Sequence, residues 1–244
     1  MNTTTQRSYG ADRTAATLVG ILYIIGTVAG ALSLPLLGGI PGAPDYLTIV
    51  AANPSRVVLG ALLILIMGLA LAVIPALMFP ILKRWNEALA IGYVIFRGAL
   101  ETFTYLALVL CWLLLIVVAQ QAAGSAAVAA SQFGNLGLLV VKAHEPIAAV
   151  VAIVFSLGAL ILYSLLYYAR LVPCWISGWG LVAAVLYLAS GLAAMFGLDL
   201  GMLQLLMLVQ EMVMAVWLIA KGFSASAIAP GPTKSAISGP LGAA

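Results

Sequence analysis

The chain has 244 residues, of which 65% are hydrophobic and 7% are charged. A water-soluble domain carries about 25% charged residues to keep its surface wet, so this composition excludes a solvated globular surface and points to a bilayer as solvent. The net charge of +3 comes from ten scattered basic residues that never form a patch, which excludes a nucleic-acid footprint.

The apolar residues fall in blocks long enough to cross a bilayer as helix, which takes about 20 residues. They are apolar on every side, unlike the alternating strands of a membrane barrel. The expected fold class is all-α, a polytopic bundle of about six transmembrane helices.

The first block, residues 15–37, follows Arg7 and Arg13. It is longer than the apolar core of about 7–15 residues in a cleaved signal, so it reads as a retained helix. Gly26 and Gly30 give it a GxxxG face for close helix packing. Residues 38–55 read as a loop rich in Gly, Pro and Asn. The second span is 57–82, with Pro75 and Pro80 kinking its last turns. Lys83, Arg84 and Trp85 make a tight turn. The third block, 88–119, is too long to stand perpendicular to the membrane and must tilt, kink or project. Residues 120–135 read as a polar connection.

The fourth span is expected over 146–168 with Pro146 in its first turn, followed by a turn at 170–177. Residues 178–196 and 203–220 are the fifth and sixth spans. Residues 223–244, rich in Ser, Ala, Gly and Pro, read as a disordered cytoplasmic tail, which leaves 1–222 as the transmembrane domain. Cys111 and Cys174 lie in or beside different blocks, show no metal-ligand spacing and read as buried small hydrophobes. Two sets of three helices would have opposite topology, as in inverted-repeat transporters, although no similarity between the halves accompanies this division.

Charges inside an apolar bundle are the informative residues, since each costs about 2.5–3.5 kcal/mol at mid-membrane on insertion scales. Arg97 and Glu101 in the third helix are spaced i,i+4 and share a face, which Tyr105 continues one turn on. They read as an internal ion pair or as the lining of a polar cavity. Glu211 in the sixth helix has no basic residue in its own apolar run. It must find a partner on another helix, find water, or carry a proton. Lys142, His144, Glu145 and Pro146 open the fourth helix, either as a wetted helix start or as the mouth of a narrow cavity above the stripe of Ala148, Ala149, Ala152 and Ser156. If Arg97, Glu101, Glu145 and Glu211 met, two negative charges would need offsetting by protons, His144, Lys142 or a bound cation. The single histidine excludes a multi-histidine zinc site and bis-histidine haem ligation. No P-loop or dinucleotide fingerprint occurs, so no cofactor and no metal are expected.

Three segments carry a family resemblance: Phe96-Arg97 with Glu101; Tyr168 through Pro173 to Ser177-Gly178-Trp179-Gly180 and on to Tyr187; and Glu211 with Trp217-Leu218 and Lys221-Gly222. On these the chain resembles a bacterial membrane family known as domain of unknown function 4386. The resemblance implies a multi-helix membrane protein without an established activity, and it suggests His144 as the counterpart of a histidine near the start of the family's fourth helix. It selects Arg97, Glu101 and Glu211, the residues that desolvation also selects.

Three functions compete. The first is a small-molecule permease or membrane binding protein with a polar pocket in the outer half, taking a small polar or cationic ligand. The second is a carboxylate-dependent membrane enzyme, for which a lipid is a candidate substrate. The third is a non-catalytic subunit whose small-residue faces dock a second copy or another membrane protein. The lack of a catalytic set favours the first and third over an enzyme. With six spans, Arg7, Arg13, Lys83, Arg84, Arg170, Lys221 and Lys234 share one side and only Arg56 and Lys142 the other. The positive-inside rule then puts both termini in the cytoplasm of an inner-membrane protein. Reporter fusions after Lys83, Arg170 and Lys221 should report the cytoplasm, and fusions near Asn53, Gln132 and Asp199 the outside. An odd number of crossings would refute this topology.

Overall fold

A computed structural model describes residues 3–224, with side-chain surroundings for 10–126 and 131–224. Of the expected tail 223–244, Phe223 and Ser224 pack on the bundle rather than leaving it; residues 225–244 lie outside the described residues, as do the side-chain surroundings of Arg7. Helix α1 is Thr3–Leu37, α2 is Tyr46–Ala52 and α3 is Pro54–Leu82. Next come α4 (Glu87–Ala123), α5 (Ala127–Ala169) and α6 (Cys174–Met195). A single 3₁₀ turn, Gly201–Gln204, leads into α7 (Leu205–Ala220). All but α2 hold a stretch long and apolar enough to cross a membrane, giving six such helices among the described residues. The protein is an all-α polytopic membrane bundle.

Local chemistry sets most of the ends. Asn86 caps α4, its Oδ1 accepting the Leu89 N–H at 3.0 Å, with Glu87 in the first turn. Pro54 starts α3, where its missing N–H costs nothing. Arg170 ends α5 in the left-handed conformation at φ 50°.

Two connections differ from expectation. The 38–55 segment contains α2, because Val50 is fully buried against the bundle and the Tyr46 hydroxyl donates to the Gly134 carbonyl at 2.9 Å. Burial raises the Tyr46 pKa above its ordinary value, which keeps that donor protonated. The 120–135 segment is mostly helix. The α4 helix runs on to Ala123, and α5 begins at Ala127 and extends for 43 residues. Pro146 therefore sits inside α5 rather than in its first turn. A proline removes one helical bond, and the helix continues through it from the polar turn of Lys142, His144 and Glu145 into the apolar turns that follow. At about 1.5 Å per residue, α5 is roughly twice as long as a bilayer core is thick, so it projects beyond the span.

Packing in lipid rests on close van der Waals contact rather than on hydrophobic exclusion. Gly26 and Gly30 of α1 lie against Leu71 and Met67 of α3, so the GxxxG face is the α1–α3 seam. The opposite stripe of α1, Leu18, Ile21, Ile25, Val28 and Leu32, is exposed at helical spacing and faces lipid. On α5, Ala149, Ala152 and Ser156 are buried, and Ala152 meets Gly191 of α6. This stripe is a packing seam with α6. Cys174, by contrast, is exposed at the start of α6.

One end of the bundle gathers α1, α3 and α7. Arg13 donates to the carbonyls of Leu218, Ile219 and Ala220 at 3.1, 2.8 and 3.2 Å, capping the end of α7. Asp12, almost fully buried, takes a two-pronged contact from Arg84 at 2.8 and 2.9 Å. Phe223 is buried there, and the Ser224 N–H donates to Leu171 O at 2.8 Å. The first and last described turns thus lie at the same end, which requires an even number of crossings.

Candidate functional site

The site begins with an irregularity in α4. Over Val94–Leu100 the hydrogen bonds loosen into a π segment, flanked by regular turns at Glu87–Tyr93 and Glu101–Ala123. Such segments widen a helix by about one residue per turn and often occur at functional sites. Arg97 lies at the centre of this one. Gly158 of α5 faces it so closely that an added Cβ would lie 3.3 Å from the Arg97 nitrogen. A larger residue there would push α5 off the widened turn. Just beyond, Thr102 and Thr104 return their hydroxyls to the carbonyls of Gly98 and Glu101 at 2.6 and 2.7 Å, so neither competes for Arg97.

Arg97 holds two carboxyls from two helices. Its Nη1 is 3.2 and 3.1 Å from the two oxygens of Glu101. Its Nη2 is 3.1 Å from Glu211 Oε1 on α7. Arg97 and Glu101 are buried to 2% and 1% exposure, whereas Glu211 keeps 13%. The guanidinium carbon lies 4.5 Å from the centroid of Phe155 and 5.7 Å from that of Tyr23, so ring faces cover the cation where no carboxylate does. Phe155 is itself packed on Tyr187 of α6 at 4.7 Å. Beside Glu211, Gln210 accepts from the Tyr163 hydroxyl at 2.5 Å and donates to Ile176 O at 3.0 Å. That clamp fixes the rotation of α7 and with it the aim of Glu211. Tyr163 can lie there because Gly180 of α6 has no side chain to strike its ring.

The cluster is not self-sufficient. Arg97 Nε is buried without a hydrogen-bond partner among the described residues, while Glu101 Oε2 rests 3.1 Å from Nη1 and the Tyr93 hydroxyl lies beside Tyr23. Leaving such a buried donor unpaired costs about 1–3 kcal/mol, so the Nε–H leaves room for one further polar partner. Charge points the same way: one guanidinium against two carboxylates leaves a formal charge of −1. By helix rise, both Arg97 and Glu211 lie about 15 Å from the ends of their helices nearest the Arg13 cap, close to mid-bilayer.

The structure thus brings Arg97, Glu101 and Glu211 together, with Tyr105 neighbouring the Glu101 carboxyl. It does not bring in His144 or Glu145. His144 lies on the α5 turn that holds Lys142 and Glu145, with its ring 4.4 Å from Trp112 and its Nδ1 3.0 Å from Val140 O. Glu145 is exposed and paired with Lys142 at 3.4 Å. Fourteen residues of helix, about 21 Å, separate His144 from the Gly158 contact with Arg97. The four-residue charge sum therefore becomes a three-residue sum, with a deficit of one rather than two. Polarity did not flag Tyr23, Phe155 and Tyr163; their only sequence signal is an aromatic residue within an apolar span. An open cavity of about 350 Å³ between α2 and the start of α5, lined by Asp45, Tyr46, Thr48, Gly134 and Leu138, is separate from the cluster.

Comparison with known families gives one match. The family described as "Domain of unknown function (DUF4386)" matches residues 18–222. The chain belongs to this family. Every member of the cluster lies within the matched residues, whereas Asp12 and Arg13 precede them. No curated protein and no solved structure matches the chain.

If the three charges act as one unit, their removal should not be additive. Arg97→Ala should lose about 3–5 kcal/mol, because two carboxyls stay buried without their cation. Glu211→Gln should be milder, since an amide still accepts from Nη2. The double variant should lose less than the sum of the two. Thermal unfolding of the purified variants measures all three, and additive losses would refute the unit.

Proposed function

We propose that this DUF4386 protein is a small-molecule permease or membrane binding protein of the inner membrane, with cytoplasmic termini, and that the Arg97–Glu101–Glu211 cluster contacts its ligand. The observation that carries the reading is the unbalanced cluster. A purely structural ion pair has no use for a second buried carboxyl on another helix, nor for an unpartnered guanidinium Nε–H beside it. A small cation would supply the missing charge, and a polar molecule bearing one could also accept from the Arg97 Nε–H. Ring faces at Tyr23 and Phe155 already show how a cation is accommodated there.

One observation favours a docking subunit instead. Arg97 is packed by rings and carboxylates to 2% exposure, as a helix lock would be. Catalysis has the least support, because the one histidine lies on a different part of α5.

Thermal shifts separate the readings. Guanidinium, tetramethylammonium and small primary amines are added to the purified protein at constant ionic strength. A ligand at 100 times its Kd stabilises by about 2.7 kcal/mol. At least one of these cations should raise the Tm of the wild type and leave Glu211→Gln unmoved. A panel that moves neither protein, with Glu211→Gln less stable than wild type, would favour the docking role.

A further inference from the structure

The cluster's one unbalanced charge identifies what else the site must bind. The groups facing Glu211 and Glu101 can be followed helix by helix. Helix α1 presents Tyr23; α4 presents Tyr93, Arg97, Glu101 and Tyr105; α5 presents Tyr163, and α6 Tyr187. Helix α3 presents apolar side chains such as Leu71 and Ile74. Arg97 is thus the sole cation facing either carboxyl among the described residues. The two carboxyls also differ in geometry. Both oxygens of Glu101 lie near Nη1, and the residue is 1% exposed. Glu211 uses one oxygen on Nη2 and keeps 13% exposure.

We infer that the cluster is a one-proton site and that Glu211 is the residue that accepts and releases the proton. A proton on Glu211 Oε2 leaves both Arg97 contacts in place and brings the cluster to zero charge. Release returns Glu211 to carboxylate and passes one H⁺ out of the cluster at the edge of Glu211 that keeps 13% exposure. If a monovalent cation then enters, the cluster is again neutral, so proton and cation exchange one for one. Only this exchange rests on the permease reading; the proton site does not.

The test is the carboxylic-acid C=O band in the infrared spectrum of the protein in lipid nanodiscs, recorded in sodium-free buffer. Wild type at neutral pH should show a protonated-carboxyl band that shifts in D₂O and bleaches at alkaline pH. The band should persist in Glu145→Gln and vanish in Glu211→Gln, with circular dichroism and monodisperse elution confirming the fold. If Glu211→Gln does not fold, Glu211→Asp carries the test, and the band should move in frequency. The inference is overturned if folded wild type lacks the band and sodium or potassium raises its Tm instead. It is also overturned if the band survives in folded Glu211→Gln, stays fixed in Glu211→Asp, or vanishes only in Glu101→Gln. A cation panel that finds nothing removes the permease reading and leaves the band intact; a missing band removes the proton site and leaves the panel untouched.

Discussion

A guanidinium near the middle of a bilayer has to be neutralised and hydrogen-bonded where it stands, and the placement of Arg97 constrains the rest of this bundle. Its Nη1 takes Glu101 from its own helix and its Nη2 takes Glu211 from α7. The Glu211 contact is lost if α4 and α7 slide by a turn, whereas the Glu101 contact travels with its own helix. Coulomb attraction is strong in this low-dielectric setting, but desolvation opposes it, so the pairing fixes geometry more than it adds stability. Around it the neighbouring helices are tailored. Helix α5 gives up a side chain at Gly158, and α6 gives one up at Gly180 so that Tyr163 can reach Gln210.

The π segment and the cluster belong together. A regular α-helix would carry Arg97 on a narrower turn, and the Val94–Leu100 widening changes the direction in which it leaves the backbone. At the end of the bundle that holds Arg13, the contacts Arg13–α7 and Asp12–Arg84 tie α1 to both α7 and α3. The charged cluster is therefore held from two levels, by its own contacts and by a latch about 15 Å away along α1.

Much of this was legible in the sequence, for identifiable reasons. The six spans follow from block length, since few apolar stretches of that size have another fate. Arg97 and Glu101 announce their pairing by i,i+4 spacing, and Glu211 announces a distant partner by having none on its own helix. What stayed hidden depends on tertiary contact. Helix α2 exists because Val50 and Tyr46 find the bundle, and its Gly- and Pro-rich flanks conceal it. The length of α5 was hidden by Pro146 and by its Ser- and Asn-containing start, both of which read as an ending. His144 and Glu145 drew attention as polar residues beside an apolar run, yet a helix of that length carries them far from Arg97. Tyr23 and Phe155 cover the guanidinium without any local signature, because a ring in an apolar span looks the same whether it faces lipid or a cation.

The central claim is that one guanidinium holds carboxyls from two different helices in the membrane. Solid-state NMR of the protein in lipid bilayers tests it most directly, with ¹⁵N in the arginine guanidino groups and ¹³C in the glutamate carboxyls. Dipolar recoupling should show the Arg97 Nη nitrogens close to two carboxyl carbons, and Glu211→Gln should remove one glutamate contact while the Glu101 contact stays. A single contact to Glu101 in the wild type, unchanged by Glu211→Gln, would contradict the account.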